Sequence, residues 1–380
     1  MLILVGVTIS MAVNGGLFDY AGKAVGETQN ALDAEQQLAN GGIEVDGVWY
    51  SSIEDYLNNK PASGTYGITE KDENGLLTAN ATYTSGDYTA VIPKGYAISS
   101  VETEQTIATG LVIKDANGNE FVWIPVEEDL GSSYSSGTNY SEPKELTSTW
   151  SNSTLATKPK YDSQEILDEL YGENYYTYSE DFKYAEEYAQ MVEKVNQYNG
   201  FYIGRYETTI DSNGNIGSKY NTPVLTAGTK LFRKDGTNYP YRWYGLYQAG
   251  KNADVSGNGT DVQTAMIYGV LYDEAMQFIR DQKTAGNTTY DVDTSTSRWH
   301  PGSAVANSGQ LNPGTTGDVA LNIWDLESNA LEWTQEAYST VGRVRRGGYF
   351  NFSLKASSRV SYYPTFNNTY YSVRLALYLQ

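Results

Sequence analysis

"NIWDLESNALEWTQE", residues 322–336, sets two tryptophans among carboxylates and amides within fifteen residues. Trp324 and Trp333 flank a turn that is bracketed by Asp325 and Glu332 and carries Asn329. Large rings set among carboxylates and amides suit a loop-rich domain, where irregular backbone needs a few bulky anchors. Working outward, "NEFVWIPV" (119–126) and "NGFYIGRYE" (199–207) come before it, and "RVRRGGYF" (343–350) and "VRLAL" (373–377) come after. The first two are β-branched and aromatic runs of strand type, with Phe121 and Trp123 as further anchors. Gly347 and Gly348 allow a tight turn before the last excursion of the chain.

Turns and helices fill in the frame. "LVIKDANGNEFVWIPV" places two strand runs around Asn117–Gly118, and "GFYIGRYETTIDSNGNIG" repeats the pattern at Asn213–Gly214. Asn-Gly between alternating apolar runs is a strong hairpin signal. Both acidic turns lack the later glutamate of an EF-hand loop, so they read as hairpin turns and not as calcium loops. The spacing of Tyr184, Tyr188, Met191, Val195 and Tyr198 predicts a core-packing helix over 184–198. That of Ile267, Leu271, Ala275 and Phe278 predicts another over 264–282. Polar, glycine-rich 237–261 and 303–318 read as surface loops.

Composition removes whole classes of function. The chain has 380 residues and a formal charge of −20, from 46 acidic against 26 basic side chains. Nucleic acid and anionic lipid therefore find no counter-charge. Without cysteine there is no disulfide, thiolate metal site or thiol nucleophile. The single His300, in "SRWHP", excludes a multi-histidine metal site, and no G-x-S-x-G elbow offers it a nucleophile. Tyrosine is abundant, 34 against 9 Phe, and its apolar ring with a polar tip suits half-exposed contact surface.

The five phrases, in this order over about 290 residues, resemble the formylglycine-generating, sulfatase-modifying enzyme family, a variant of the C-type lectin fold. The resemblance implies a calcium site in the 322–336 segment, drawn from Asp325, Ser328, Ala330 and Glu332, with Ser328 where the family has glycine. Oxygen ligands suit a hard cation, and an ion-free hydrogen-bonded turn is the alternative. The family's oxidation uses a cysteine pair after the R-G-G phrase, which this chain lacks, so that activity is not expected. Residues 1–40, an apolar "MLILVGVTISMAV" followed by an amphipathic stretch, resemble the N-terminal helix of Gram-positive type IV pilin-like proteins. Its thirteen apolar residues fall short of the ~20 that span a bilayer, and an amphipathic anchor or buried core helix is the alternative.

Between Gly348 and Val373 lie 24 residues, of which 18 are Tyr, Phe, Asn, Ser or Thr. This bias resembles the variable region of lectin-fold proteins diversified by retroelements, in which mutated adenines turn asparagine codons into Tyr, Asp, Ser and others. The resemblance assigns the frame to "RGG", Ala356, Ser358–Arg359 and "VRLAL". It assigns the contact positions to Tyr349, Asn351, Ser353, Tyr362, Tyr363, Phe366, Asn367, Asn368, Tyr370 and Tyr371. Tyr with Ser and Asn is also the composition of an antibody paratope. A tyrosine-rich hairpin that merely covers the core is the alternative.

The expected fold is therefore α+β: a loop-rich C-type-lectin-like domain over 87–380 with short antiparallel strands and two helices. A linking region over 41–86 and a long pilin-like helix over 1–40 precede it. The expected function is non-enzymatic binding of a protein or glycan at the cell surface through 349–372, with anchorage or assembly with like subunits through the N-terminal helix. No cofactor is required, and structural calcium is the one candidate ion. A structural pilin subunit and a divergent enzyme of the same family are the alternatives.

Overall fold

The computed structural model describes residues 43–45, 48–50, 65–66, 70–127, 130, 184–228, 230–232, 238–240, 242–294, 310–339, 342–350, 354–363, 366 and 368–380. The chain divides into two compact units, Met1–Ser63 and Gly64–Gln380. In the first unit the described residues form one antiparallel hairpin, Ile43–Val45 with Val48–Tyr50. The expected pilin-like helix over 1–40 lies outside the described residues.

The second unit is α+β, with small, mostly antiparallel sheets and few helices, compatible with a loop-rich lectin-like frame. Besides several strands of two or three residues, it has β1 (Ala81–Ser85), β2 (Tyr88–Ile92), β3 (Tyr96–Ile98), β4 (Val112–Asp115), β5 (Glu120–Pro125) and β6 (Gly200–Gly204). They continue with β7 (Val262–Met266), β8 (Leu331–Ser339), β9 (Gly342–Arg346), β10 (Arg359–Tyr362), β11 (Tyr371–Val373) and β12 (Leu375–Leu379). The helices are α1 (Tyr184–Tyr198), α2 (Trp243–Lys251) and α3 (Gly269–Thr284). A six-stranded antiparallel sheet runs β7-β12-β6-β5-β4-β3, and a four-stranded sheet runs β10-β9-β8-β11.

The strongest apolar runs occupy the larger sheet. Phe121 to Ile124 on β5, Phe201 to Ile203 on β6 and Leu375 to Leu379 on β12 are all buried, and Trp123 packs edge-on against Tyr202 at 4.8 Å. α1 presses Tyr188, Met191 and Val195 into this core. Both Asn-Gly turns form as expected. Gly118 and Gly214 have positive φ, and the Asp115 and Asp211 carboxylates accept loop amides, which accounts for their acidity without an ion.

Three expectations need correction. Residues 70–86 are not a coreless link, because β1 alternates inward and places Ala81 and Tyr83, with Leu77, in the main core. The compact unit accordingly starts at Gly64, ahead of residue 87. The apolar stretch 264–282 is split: it begins within β7, and α3 starts only at Gly269. The supposed loop 237–261 contains a third helix, α2, whose Trp243, Leu246 and Tyr247 are buried. Gly250 lets α2 lie directly on β7, since a Cβ there would meet the Met266 amide nitrogen at 2.5 Å.

Candidate functional site: an aromatic face on a charged frame

The four-stranded sheet sorts its side chains by strand alternation. Registers Trp333↔Arg345, Arg345↔Val360, Arg343↔Tyr362, Leu331↔Tyr371 and Trp333↔Val373 place these residues on one face. Glu332, Arg346 and Arg359 occupy the other. There the Arg359 guanidinium donates to Glu336 at 3.1 Å and pairs with Asp273 of α3, and Arg346 reaches the same Asp273 at 2.8 Å. Burial pushes Glu336 above the ordinary carboxylate range, and Arg359 and Arg346 pull it back. Ala356 is fully buried nearby, so the frame expected around the last excursion is locked to the core.

The first face carries the rings. Tyr362, Tyr363, Phe366 and Tyr370 are exposed, Tyr363 by 53%. Three of them share one chain of contacts, separate from that of Tyr370: Tyr362 meets Tyr363 at 5.9 Å and Phe366 at 4.7 Å, and Phe366 meets Tyr371 at 5.8 Å. Tyr370 stacks flat on half-buried Tyr349 at 5.5 Å and meets Phe350 edge-on at 4.9 Å. Edge and offset packing of this kind contributes about 0.5–1.5 kcal/mol per pair and pre-orders the rings. Asn368 is half-buried, and its side-chain oxygen accepts the Tyr370 amide. Asn351, Ser353 and Asn367 lie outside the described residues.

Tyr371 departs from expectation. It is 8% exposed, because pairing opposite Leu331 turns its ring onto Trp333, with centroids 5.7 Å apart. It is the floor of the face and not part of its display. Sequence reasoning also missed Arg345, which is 4% exposed and lies over the rings of Tyr371 at 4.2 Å, Tyr362 at 4.8 Å and Trp333 at 5.4 Å. The alternation of Arg343 and Arg345 in "RVRR", one side of a strand, is the signal that points to it.

Below the face, the 322–336 segment is held by protein groups. Asn329 donates its amide to Glu207 and to the Leu311 carbonyl, and the Ala330 amide donates to Glu207 at 2.8 Å. Asp325 accepts the Gly314 amide at 2.9 Å and the Thr316 hydroxyl. Glu332 is engaged at both oxygens by Arg374, whose guanidinium also donates to the Gly204 and Trp324 carbonyls. Burial raises Asp325 to about 7 and holds Glu207 well above the usual range. These positions do not fit a hard cation: at Glu332 the ion would have to displace a guanidinium bound at both oxygens. Among the described residues no group of three or more acidic or histidine side chains is arranged to hold a metal. Ser328 is accommodated because Asp325 and Asn329, at φ 66° and 64°, take the left-handed conformations. Gly347, at φ 71°, is irreplaceable for a different reason: a Cβ would lie 2.4 Å from the Leu326 carbonyl.

No family model and no curated protein matches the chain. Solved structures that resemble it slightly include three of different description. "Crystal Structure of CarF" is 14% identical over 48% of this chain and 88% of that one, at a TM-score of 0.32. "Major Tropism Determinant U1 Variant" is 13% identical over 90% and 87%, also at 0.32. "Treponema denticola variable protein 1" is 11% identical over 78% and 98%, at 0.24. Likenesses at these TM-scores fix neither fold nor function.

Proposed function

We propose that this chain is a non-enzymatic ligand-binding protein of adhesin type, which presents the rings of its last excursion from a rigid lectin-like frame. The observation that carries this reading is the division of one short segment. Its frame residues Gly347, Ala356 and Arg374 are buried or sterically committed, while Tyr362, Tyr363 and Phe366 form one exposed cluster and Tyr370 is exposed in a second, against Tyr349 and Phe350. Clustered exposed rings on a pre-formed base are the arrangement that binding surfaces use, since large contact area is gained with little ordering. The aromatic and amide bias of 349–372 supports retroelement diversification of the face, and the apolar start of the chain supports surface anchorage through a pilin-like helix.

The test is capture from an array of cell-surface proteins and glycans by the full chain and by a variant with Tyr362, Tyr363, Phe366 and Tyr370 all changed to Ser. Capture should fall at least tenfold, with the melting temperature within about 3 °C of the parent. Unchanged capture, or a collapse of the fold, rejects the reading in favour of rings that only cover the core. Diversification has its own test: a near-copy of the coding segment for 349–372, differing at adenines, beside a reverse transcriptase gene.

A further inference from the structure

We propose that Arg345 is an anion socket in the floor of the aromatic face, and that the ligand is a protein segment presenting one carboxylate to it past Tyr362. The inference rests on the reading of that face as a binding surface, and adds the chemistry of what binds there.

A buried guanidinium normally finds a carboxylate, because stripping its water is costly. Arg346, Arg359 and Arg374 follow this rule. Among the described residues Arg345 forms no ion pair, and its Nε, buried, has no acceptor. Burial pulls its pKa below the ordinary arginine value, and what opposes this comes from the Tyr371, Tyr362 and Tyr349 phenols and not from a carboxylate. The faces of three rings replace part of the lost hydration, as cation–π contacts do, and the Tyr371 hydroxyl supplies one acceptor, but Nε has none and no carboxylate meets the fork. The Trp333 indole N–H, in the same packing group, is likewise buried without a partner. Two donors, one of them charged, are thus left without an acceptor in the same packing group.

Access is available on one side. Tyr371 and Trp333 are buried, whereas Tyr362 is 38% exposed and sits on β10, the edge strand of its sheet. Of the three rings over the guanidinium, Tyr362 is the exposed one, and its rotation is the way in that the proposal requires. The planar fork of arginine matches a carboxylate bidentately and rewards it more than any neutral acceptor. The net charge of −20 repels polyanions, so the socket selects an isolated carboxylate in an otherwise neutral or basic surface. Around it, the Tyr363 and Phe366 rings suit apolar side chains flanking an Asp or Glu of a protein.

The experiment uses the full chain labelled with nitrogen-15 at arginine and tryptophan side chains. Four probes are titrated: a blocked tripeptide with glutamate between two phenylalanines, its glutamine twin, N-acetylneuraminic acid and inorganic phosphate. The glutamate peptide should shift the Arg345 Nε–H and Trp333 indole N–H signals saturably, at least tenfold more tightly than the glutamine twin. In Arg345→Met the difference between the twins should vanish, and in Arg345→Lys, which keeps the charge but not the fork, it should shrink. Equal response to the twins, or none to either, overturns the socket and leaves the ring face untouched, since that face is judged by the four-ring variant alone. A sugar acid or phosphate response matching the glutamate peptide overturns the protein source. The comparison of twins is made on the native chain, so it holds even if Arg345→Met fails to fold.

Discussion

Replacing Arg374 by Met tests whether the 322–336 segment is held by an internal ion pair. Arg374 is fully buried and binds both oxygens of buried Glu332, and it also caps the carbonyls of Gly204 and Trp324. Removing one partner of such a pair costs about 3–5 kcal/mol, because the other charge remains buried. Each stranded carbonyl adds about 1 kcal/mol. Urea denaturation followed by both tryptophan fluorescence and circular dichroism should show a loss of at least about 4 kcal/mol, with Arg374→Met/Glu332→Gln recovering about half. The sign with pH follows from Glu332, which burial raises and Arg374 pulls down. Without Arg374 the carboxyl takes up its proton at higher pH and sheds the stranded charge. The deficit should therefore be smaller at pH 5 than at pH 8. Calcium and chelator should leave the parent's midpoint unchanged. A deficit below about 1 kcal/mol, or a parent stabilised by millimolar calcium, refutes the ion-pair account and restores the cation.

Tyr371→Ala should cost about 3–5 kcal/mol by thermal or chemical denaturation, because its ring is buried against Trp333, whereas Tyr363→Ala, half in solvent, should stay within about 0.5 kcal/mol. Asp325 takes up its proton at about 7 in the fold against 3.8 in the open chain, so its contribution is complete below pH 4 and is lost as pH rises through 7. That gap is worth about 4 kcal/mol at most, and Asp325→Asn should flatten this part of the stability profile measured by urea midpoints from pH 4 to 8.

Much of the larger sheet was legible because local signals and tertiary packing agree there. The apolar runs at 120–125 and 200–204 are too greasy to be anything but buried strands, and the Asn-Gly turns demand the positive φ that they receive. α2 was hidden for the opposite reason. Trp, Tyr and Gly are weak helix formers, and its nine residues are helical because Trp243, Leu246 and Tyr247 have a surface to pack on. The spacing of those three is nonetheless helical, and weighing it above the glycines would have found the element.

The candidate face was legible in composition and not in orientation. Tyr370 and Tyr371 are identical neighbours, yet Tyr370 ends a turn and stacks on Tyr349, while the parallel pairing of Leu331–Trp333 with Tyr371–Val373 lays Tyr371 on Trp333. The same limit hid Arg345. A sequence shows that "RVRR" alternates, but not that one of its arginines finds carboxylates while the next finds rings.

β12, at Leu375–Leu379, lies between β7 and β6, so the strand that follows the 349–372 excursion is an interior member of the main sheet. The domain cannot close until that strand has left the ribosome. An insertion or deletion in 349–372 that shifts the reading frame removes it and leaves two apolar edges exposed to proteolysis. Placing the strand that follows this segment at the heart of the architecture makes closure of the sheet a check that the segment was read in frame.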